Sequence, residues 1–189
     1  MTALMMSRLR ADTRPAHDAL DRALNLDELT ASPERYRELL ARMYGFHAPL
    51  EPRLQRALRG IVTLRGRSSL LAEDLSRLGL DDLDGIARCA DLPPLSEPTV
   101  ALGVAYVLEG SALGGQVVAR VVRDRLGLGA DSGVAFFSSR GRHVGVEWRA
   151  FGHACDAYLE AHGGGDRGVE GAEATFAAMH RWLAQGGLA

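Results

Sequence analysis

The chain has 189 residues, of which 47% are hydrophobic and 24% are charged, as in an ordinary globular protein. This length predicts one domain over residues 1–189 with room for a full hydrophobic core. A net charge of −2 argues against a nucleic-acid-binding protein, and all 22 basic residues are arginine.

The cellular location is predicted from the cysteines and the apolar segments. Cys89 and Cys155 are isolated and lack metal-ligand spacing, which favours a reducing compartment. The first residues, MTALMMSRLRADTR, lack the apolar core of a signal peptide. The most apolar run, residues 99–122, is interrupted by Glu109, Gln116 and Arg120, which argues against a membrane span. We therefore expect a cytoplasmic protein without membrane contact.

The first helix carries a histidine with polar neighbours at helical spacing. Pro15 removes one backbone donor, so this helix is expected to kink or to restart at Thr13 as an N-cap. Asp21 follows His17 by one turn and can hold one imidazole nitrogen, which leaves the other as a Lewis base. Arg10 precedes His17 by two turns, where it can meet an anion beside the histidine.

Two further helices follow in the first half of the chain. Ser32 as N-cap and Pro33 in the first turn begin a helix through YRELLARMYGF, with Pro49 disturbing its far end. The segment SSLLAEDLSRLGL predicts a short amphipathic helix that ends at Gly79, and DLPPLSEP is a clear break after it.

The next helix contains an unusual glycine cluster. The stretch YVLEGSALGGQVVARVV, residues 106–122, has the composition of a buried helix yet includes Gly110, Gly114 and Gly115. Each interior glycine costs a helix about 1 kcal/mol relative to alanine. Close helix packing explains a single glycine pair, but with Ser111 the cluster predicts a side-chain-poor groove. Opposite His17, such a groove would form a slot for a planar macrocycle.

The remaining sequence is also helical. The segment LGLGADSG ends the glycine helix, and VGVEWRAFGHACDAYLEAH supplies another helix. We interpret GGGDRG as a flexible connection before a last helix, VEGAEATFAAMHRWLAQ, with Phe176 facing inward. Convincing strand alternation is missing, so the predicted fold class is a single-domain, all-α, multi-helix bundle.

Two motifs together resemble the haem oxygenase family, in particular its bacterial, biliverdin-producing members. These are LRADTRPAHDALD and YVLEGSALGGQVV, and YRELLARMYGFHAPLE and ATFAAMHRWL extend the similarity over most of the chain. The resemblance implies a haem-oxygenase-like bundle in which haem is both substrate and cofactor. Oxygen and electrons would convert haem to biliverdin, carbon monoxide and ferrous iron.

The resemblance also implies redox and downstream partners. Electrons would come from a ferredoxin or a flavoprotein reductase, and a bacteriophytochrome is a candidate receiver of biliverdin. Four arginines near the N-terminus could form a basic face for an acidic electron donor, with ordinary solvated surface residues as the alternative: Arg8, Arg10, Arg14 and Arg22.

The same resemblance assigns roles to individual residues. His17 would be the axial ligand of the haem iron, oriented by Asp21. The catalytic wall on the other haem face would comprise Gly110, Ser111 and Gly114, with Ser111 where some family members carry an aspartate. Further haem contacts are implied for Gly115, Arg10, Tyr106, Arg149, His153 and Phe176. Of these, Arg10, Tyr106, Arg149 and His153 would bind or close the propionate edge.

Other functional classes stay open at this point. A non-catalytic haem carrier or sensor would use the same His17 and glycine slot, so the sequence does not separate it from an oxygenase. A hydrolase on this scaffold would need Cys89 or Cys155 as nucleophile, without a local activation signal. A di-iron bundle would need paired Glu-x-x-His motifs, which are missing.

Overall fold

The computed structural model describes residues 5–138 and 144–185, and within these ranges it contains helices and no β-strand. The helices are α1 (Met5–Asp12), α2 (Arg14–Ala23), α3 (Leu26–Leu29), α4 (Pro33–Ala57), α5 (Ser68–Arg77), α6 (Pro98–Leu126), α7 (Ala135–Ser138), α8 (Val144–His162) and α9 (Gly165–Ala184). A 3-10 turn at Ala130–Ser132 precedes α7. The predicted all-α fold class is confirmed.

The predicted break near the N-terminus occurs at Thr13, between α1 and α2. Pro15 lies in the first turn of α2, where a backbone donor would have no intrahelical partner. Thr13, however, does not cap α2 through its side chain. Its hydroxyl instead donates to the Leu9 carbonyl at 2.7 Å, within α1. Thr13 is therefore the N-cap residue of α2 by position, as predicted, but its hydroxyl does not cap the first amides of the helix.

Helix α4 begins as predicted but runs further than expected. The Ser32 hydroxyl accepts a hydrogen bond from the Arg35 amide at 3.3 Å, which caps the first turn. Pro49 and Pro52 both lie inside the helix, which continues to Ala57. Each proline removes only one donor, and the surrounding turns are held in the core by buried apolar side chains: Phe46, Leu50 and Leu54.

Helices α6 and α9 pack backbone to backbone at a seam formed by Gly103, Gly168 and Gly171. A Cβ atom at Gly103 would lie only 1.9 Å from the Gly168 carbonyl oxygen, and one at Gly171 would lie 2.2 Å from that of Val100. No side chain fits at such distances. The closest helix packing therefore uses glycines outside the cluster of Gly110, Gly114 and Gly115.

The connection before α9 is shorter than predicted. Within the GGGDRG segment only Gly163 and Gly164 adopt a left-handed conformation, with φ of +74° and +88°, and α9 begins at Gly165. The rest of the GGGDRG segment is helical. At Gly168 a Cβ atom would lie 1.9 Å from Cε of Met5, so any other residue there would have to displace the end of this α1 side chain. This glycine permits close packing rather than flexibility.

Helix α6 is the central helix of the fold. It is long and apolar enough to cross a membrane by length and composition alone, but more than half of its most apolar window is buried inside the molecule. It packs against α4, α7, α8 and, most extensively, α9. We therefore assign α6 as the core helix of a globular fold, where its apolar composition stabilises the core.

Candidate functional site

A cavity of about 970 Å³ is shared by α2 and α6, with contributions from most other helices. Its volume is at the upper end of the range of about 300–1,000 Å³ that is typical of ligand pockets. Of the residues that the sequence predicted to contact haem, the cavity brings together all but Arg149 and His153. Those that line it are Arg10, His17, Asp21, Tyr106, Gly110, Ser111, Gly114, Gly115 and Phe176.

His17 lies on α2 with its imidazole at the cavity. Its Nδ1 atom is 3.1 Å from a carboxylate oxygen of Asp21, as the one-turn spacing predicted. The imidazole meets the Phe176 ring edge to face, with ring centres 5.8 Å apart, and 57% of the side chain is exposed. Because Asp21 holds Nδ1, the other nitrogen, Nε2, is the one that can act as a Lewis base.

The three glycines of the cluster have different neighbours. Around a Cβ position at Gly114, the described residues place no heavy atom within 4 Å, so this glycine faces the open cavity. A Cβ atom at Gly110 would lie 3.3 Å from the Trp148 ring, and one at Gly115 would lie 3.1 Å from the Phe137 carbonyl oxygen. Protein packing thus accounts for Gly110 and Gly115, and only Gly114 leaves space for a ligand.

Ser111 connects the cavity wall to a buried arginine. The Ser111 hydroxyl accepts a hydrogen bond from Nη2 of Arg67 at 2.6 Å and lies 2.7 Å from the Leu108 carbonyl oxygen. Arg67 is 4% exposed, and its guanidinium lies over the Phe136 ring, 4.4 Å from the ring centre. This contact could not be predicted from local sequence patterns, because the two residues are 44 positions apart.

Behind Arg67 lies a buried polar pair on α4. Nδ1 of His47 is 2.9 Å from Glu51, which also accepts hydrogen bonds from the amides of Arg67 and Ser68 at 3.0 and 2.9 Å. Burial by itself raises the pKa of Glu51, but the hydrogen bonds from His47 and from the two amides outweigh it and bring the pKa to about 2. Burial lowers the pKa of His47, so the imidazole is neutral at neutral pH and donates from Nδ1.

A second, small cavity of about 20 Å³ lies beside this pair. It is lined by His47, Glu51, Arg67, Leu108 and Glu109, among others. Nε2 of His47 is buried there without a hydrogen-bond partner among the described residues. A cavity of this volume has room for one water molecule, which could donate to Nε2.

The predicted propionate edge is only partly present. Arg10 and Tyr106 line the large cavity, and burial raises the pKa of the Tyr106 phenol, which keeps it protonated. Arg149 and His153 are exposed on α8 and do not line the cavity. The inward face of α8 carries Trp148 and Phe151 instead, so the structure does not bring the predicted Arg149–His153 pair to the site.

Trp148 is a cavity residue that sequence reasoning missed. Its ring lies 5.5 Å from that of Tyr106 and 5.8 Å from that of Phe151, between the cavity and the core. The signal was present in the sequence, because Trp148, Phe151 and Cys155 form an apolar stripe at helical spacing. That stripe places Arg149 and His153 on the other side of the helix.

The two cysteines are unsuited to nucleophilic chemistry. Burial raises the pKa of the Cys155 thiol to about 12 and also raises that of Cys89. Both thiols stay uncharged inside the core, which removes the support for a cysteine hydrolase. Within residues 5–138 and 144–185, no group of three or more His, Cys, Asp or Glu side chains is arranged to hold a metal ion.

A carboxylate-oriented histidine and a bare helix surface on one cavity are features of a helical haem-binding protein. The family model for haem oxygenase matches residues 3–185. A haem oxygenase from Xanthomonas campestris pv. campestris (strain 8004) is 32% identical over 155 residues, which cover 80% of this chain and 90% of that protein. The chain belongs to the haem oxygenase family.

The fold agrees with this assignment. The haem oxygenase from Neisseria meningitidis, solved in NO- and CO-bound forms, superposes with a TM-score of 0.85. The match covers 100% of this chain and 94% of that one at 24% sequence identity, and it shows a shared fold. The protein is thus an enzyme, a haem oxygenase, with haem as its substrate and cofactor.

Proposed function

We propose that the enzyme binds haem between His17 and the surface of α6 at Gly114, and cleaves it with oxygen and electrons to biliverdin, carbon monoxide and ferrous iron. The observation that carries this proposal is that His17 and Gly114, from separate helices, line one cavity. When bound, haem supplies both the iron and the macrocycle that is oxidised.

The cavity residues fit a haem group. His17 offers Nε2 as an axial ligand, and the contact from Asp21 to Nδ1 fixes the orientation of the ring. Gly114 has open space where any other residue would place a Cβ atom, so a flat ring system can approach the helix backbone there. Phe176, edge-on to His17, adds an apolar contact on the same side.

The carboxylate groups of haem need a polar edge, and the N-terminal helices supply it. Arg10 and Arg14 line the cavity, and their guanidinium groups can bind carboxylates through two parallel hydrogen bonds. We assign the propionate edge to these arginines and to Tyr106. Arg149 and His153 are left out of it, because neither lines the cavity.

The wall formed by α6 lacks acidic and imidazole side chains among its cavity-lining residues. Gly110, Ser111 and Gly114 are the residues we propose as the catalytic wall, with Gly115 supporting it from the Phe137 side. This wall would position bound molecules through shape, backbone groups and one hydroxyl. A proton for the reaction would therefore reach the wall through solvent rather than from an acid on α6.

Electrons would arrive at a basic surface near the N-terminus. Arg10 and Arg22 are exposed, whereas Arg8 is paired with Asp12 and Asp166, and Arg14 lies 3.9 Å from a carboxylate oxygen of Asp18, so these two arginines add less net charge. We propose an acidic ferredoxin or flavoprotein reductase as the donor that docks there. From the family resemblance we also propose a cytoplasmic location and a bacteriophytochrome as a receiver of biliverdin.

The test is to load the purified protein with hemin and then add ascorbate in air. We expect the haem spectrum to give way to a bilin spectrum, whereas a carrier or sensor would keep its haem. His17→Ala should bind hemin weakly and lose turnover, and added imidazole should restore it. His153→Ala is the matched control and should behave as the wild type. Full unaided turnover by His17→Ala would overturn the proposal.

A further inference from the structure

Arg67 joins three parts of the fold immediately outside the large cavity. It lies in the connection between α4 and α5, and its Nη2 donates to the Leu108 carbonyl at 2.8 Å and to the Ser111 hydroxyl at 2.6 Å. The guanidinium plane is covered by the Phe136 ring. These contacts hold one cationic group in a single orientation against the inner side of α6.

The backbone of Arg67 is also fixed. Its amide and that of Ser68 donate to the two carboxylate oxygens of Glu51, which is held in turn by His47 on α4. Glu51 is ionised, and the charge of Glu109 acts on the same His47 imidazole. Both ends of the Arg67 side chain are therefore anchored, one on α4 and one on α6.

The direction of the hydrogen bonds follows from the chemistry of the groups. A guanidinium has donors and no acceptor, so the Ser111 oxygen must be the acceptor in their contact. The hydroxyl proton then goes to the Leu108 carbonyl oxygen, 2.7 Å away. One lone pair of the Ser111 oxygen remains, and Ser111 lines the large cavity.

We propose that Arg67 is a positioning residue that fixes Ser111 as a hydrogen-bond acceptor toward the cavity. The ligand of this subsite is a protic donor, water being the simplest, held beside the haem. Without the guanidinium, the Ser111 hydroxyl can rotate and donate a hydrogen bond into the cavity. The wall would then present a donor at this point instead of an acceptor. The inference rests on the proposed function, because it concerns the wall of the haem cavity.

The test is a double-mutant cycle with Arg67→Lys, Ser111→Ala and the double variant, each loaded with hemin. Lysine keeps the charge but lacks the planar fork that reaches two acceptors at once. The readout is the pH midpoint of the alkaline change in the visible spectrum of the ferric complex. We expect Arg67→Lys to shift this midpoint by about half a pH unit or more when Ser111 is present, and not in the Ser111→Ala background.

Equal shifts in both backgrounds would mean that Arg67 acts through its charge or through the fold, and would overturn the proposal. No shift in either background would overturn it as well. Thermal unfolding of the haem-free proteins measures the structural contribution separately. If Arg67→Lys does not fold, Ser111→Thr decides: its hydroxyl should keep the wild-type midpoint that Ser111→Ala loses, and an equal midpoint in both variants overturns the proposal.

The two proposals fail in distinguishable ways. A hemin spectrum that is the same in the wild type and in His17→Ala would contradict the proposed haem site itself. A normal, His17-dependent spectrum without coupling between Arg67 and Ser111 would count only against the positioning of Ser111.

Discussion

Gly110, Gly114 and Gly115 look alike in the sequence, yet the residues around them differ. Gly110 makes room for the Trp148 ring and Gly115 for the Phe137 carbonyl, and of the three only Gly114 has no neighbouring atom within 4 Å of its Cβ position. A glycine in a helix costs stability, so each must be offset by something that needs the missing side chain. For two of them this is protein packing, and for the third we infer that it is the ligand.

This distinction predicts opposite effects of leucine at two neighbouring positions. Gly114→Leu should leave the haem-free protein as stable or up to about 1 kcal/mol more stable, because leucine favours the helix, but should weaken hemin binding at least about tenfold. Gly110→Leu should displace Trp148 and destabilise the haem-free protein by about 1–3 kcal/mol. Urea unfolding and hemin titration measure both. Similar losses of stability in the two variants would contradict this assignment.

Contacts between residues that are close in the sequence were easier to predict than contacts between distant residues. The His17–Asp21 contact follows from one-turn spacing on a helix, and the structure contains it. Arg67 and Phe137 reach the α6 wall from elsewhere in the chain, so no spacing could indicate them. Arg149 and His153 also have one-turn spacing, but the spacing does not tell which face of α8 meets the cavity.

Glycine residues allow helices α6 and α9 to pack with their backbones in direct contact. The first helical turns of α9 lie directly on α6 at Gly103, Gly168 and Gly171. The helix bounds were largely predictable because amphipathic periodicity and the Ser32 cap are local features. The seam between α6 and α9 was not predictable, because in a sequence a glycine that permits close packing looks the same as one that permits a flexible turn. The GGGDRG segment contains both kinds.

Gly103→Ala should destabilise the protein by about 2 kcal/mol or more. Its Cβ would lie 1.9 Å from a backbone oxygen of α9, so the two helices would have to separate. Gly114→Ala is the matched control, since it adds the same methyl group to the same helix in open space and should stabilise by up to about 1 kcal/mol. Urea unfolding of the haem-free proteins tests the pair, and a gain of stability in both would refute the seam.

Glu51 links α4 to the start of α5 and gives the fold a defined acid sensitivity. Its pKa falls from 4.5 in the unfolded chain to about 2 in the folded protein, so the folded state favours the ionised form. The resulting stability, on the order of 3 kcal/mol, is complete above pH 5 and is lost as the pH falls toward 2.

Glu51→Gln removes this dependence. The variant should be less stable than the wild type at pH 7, and the difference should shrink steadily between pH 5 and pH 2, because a protonated Glu51 and a glutamine are both neutral. The measurement is the free energy of unfolding as a function of pH. A difference that stays constant over this interval would show that Glu51 does not contribute through its charge.

At the scale of the whole molecule, the large cavity makes stability depend on the ligand. A hundredfold excess of hemin over its dissociation constant should add about 2.7 kcal/mol, which raises the melting temperature of a protein of this size by about 5–10 °C. Protoporphyrin without iron fills the same space but cannot bind His17, so its shift should be smaller. In His17→Ala the two compounds should give equal shifts. Equal shifts in the wild type would exclude His17 as the iron ligand.

Helix α6 is held against the rest of the fold at two places. One is the seam at Gly103, and the other is the contact of Gly115 with Phe137, followed by the ion pair of Arg125 with Asp27. The segment of α6 between these two places, around Gly110 and Gly114, forms the cavity wall. Because the open surface at Gly114 is separate from the seam at Gly103, evolution can change the contact with the substrate at Gly114 while the seam that holds α6 against α9 stays as it is.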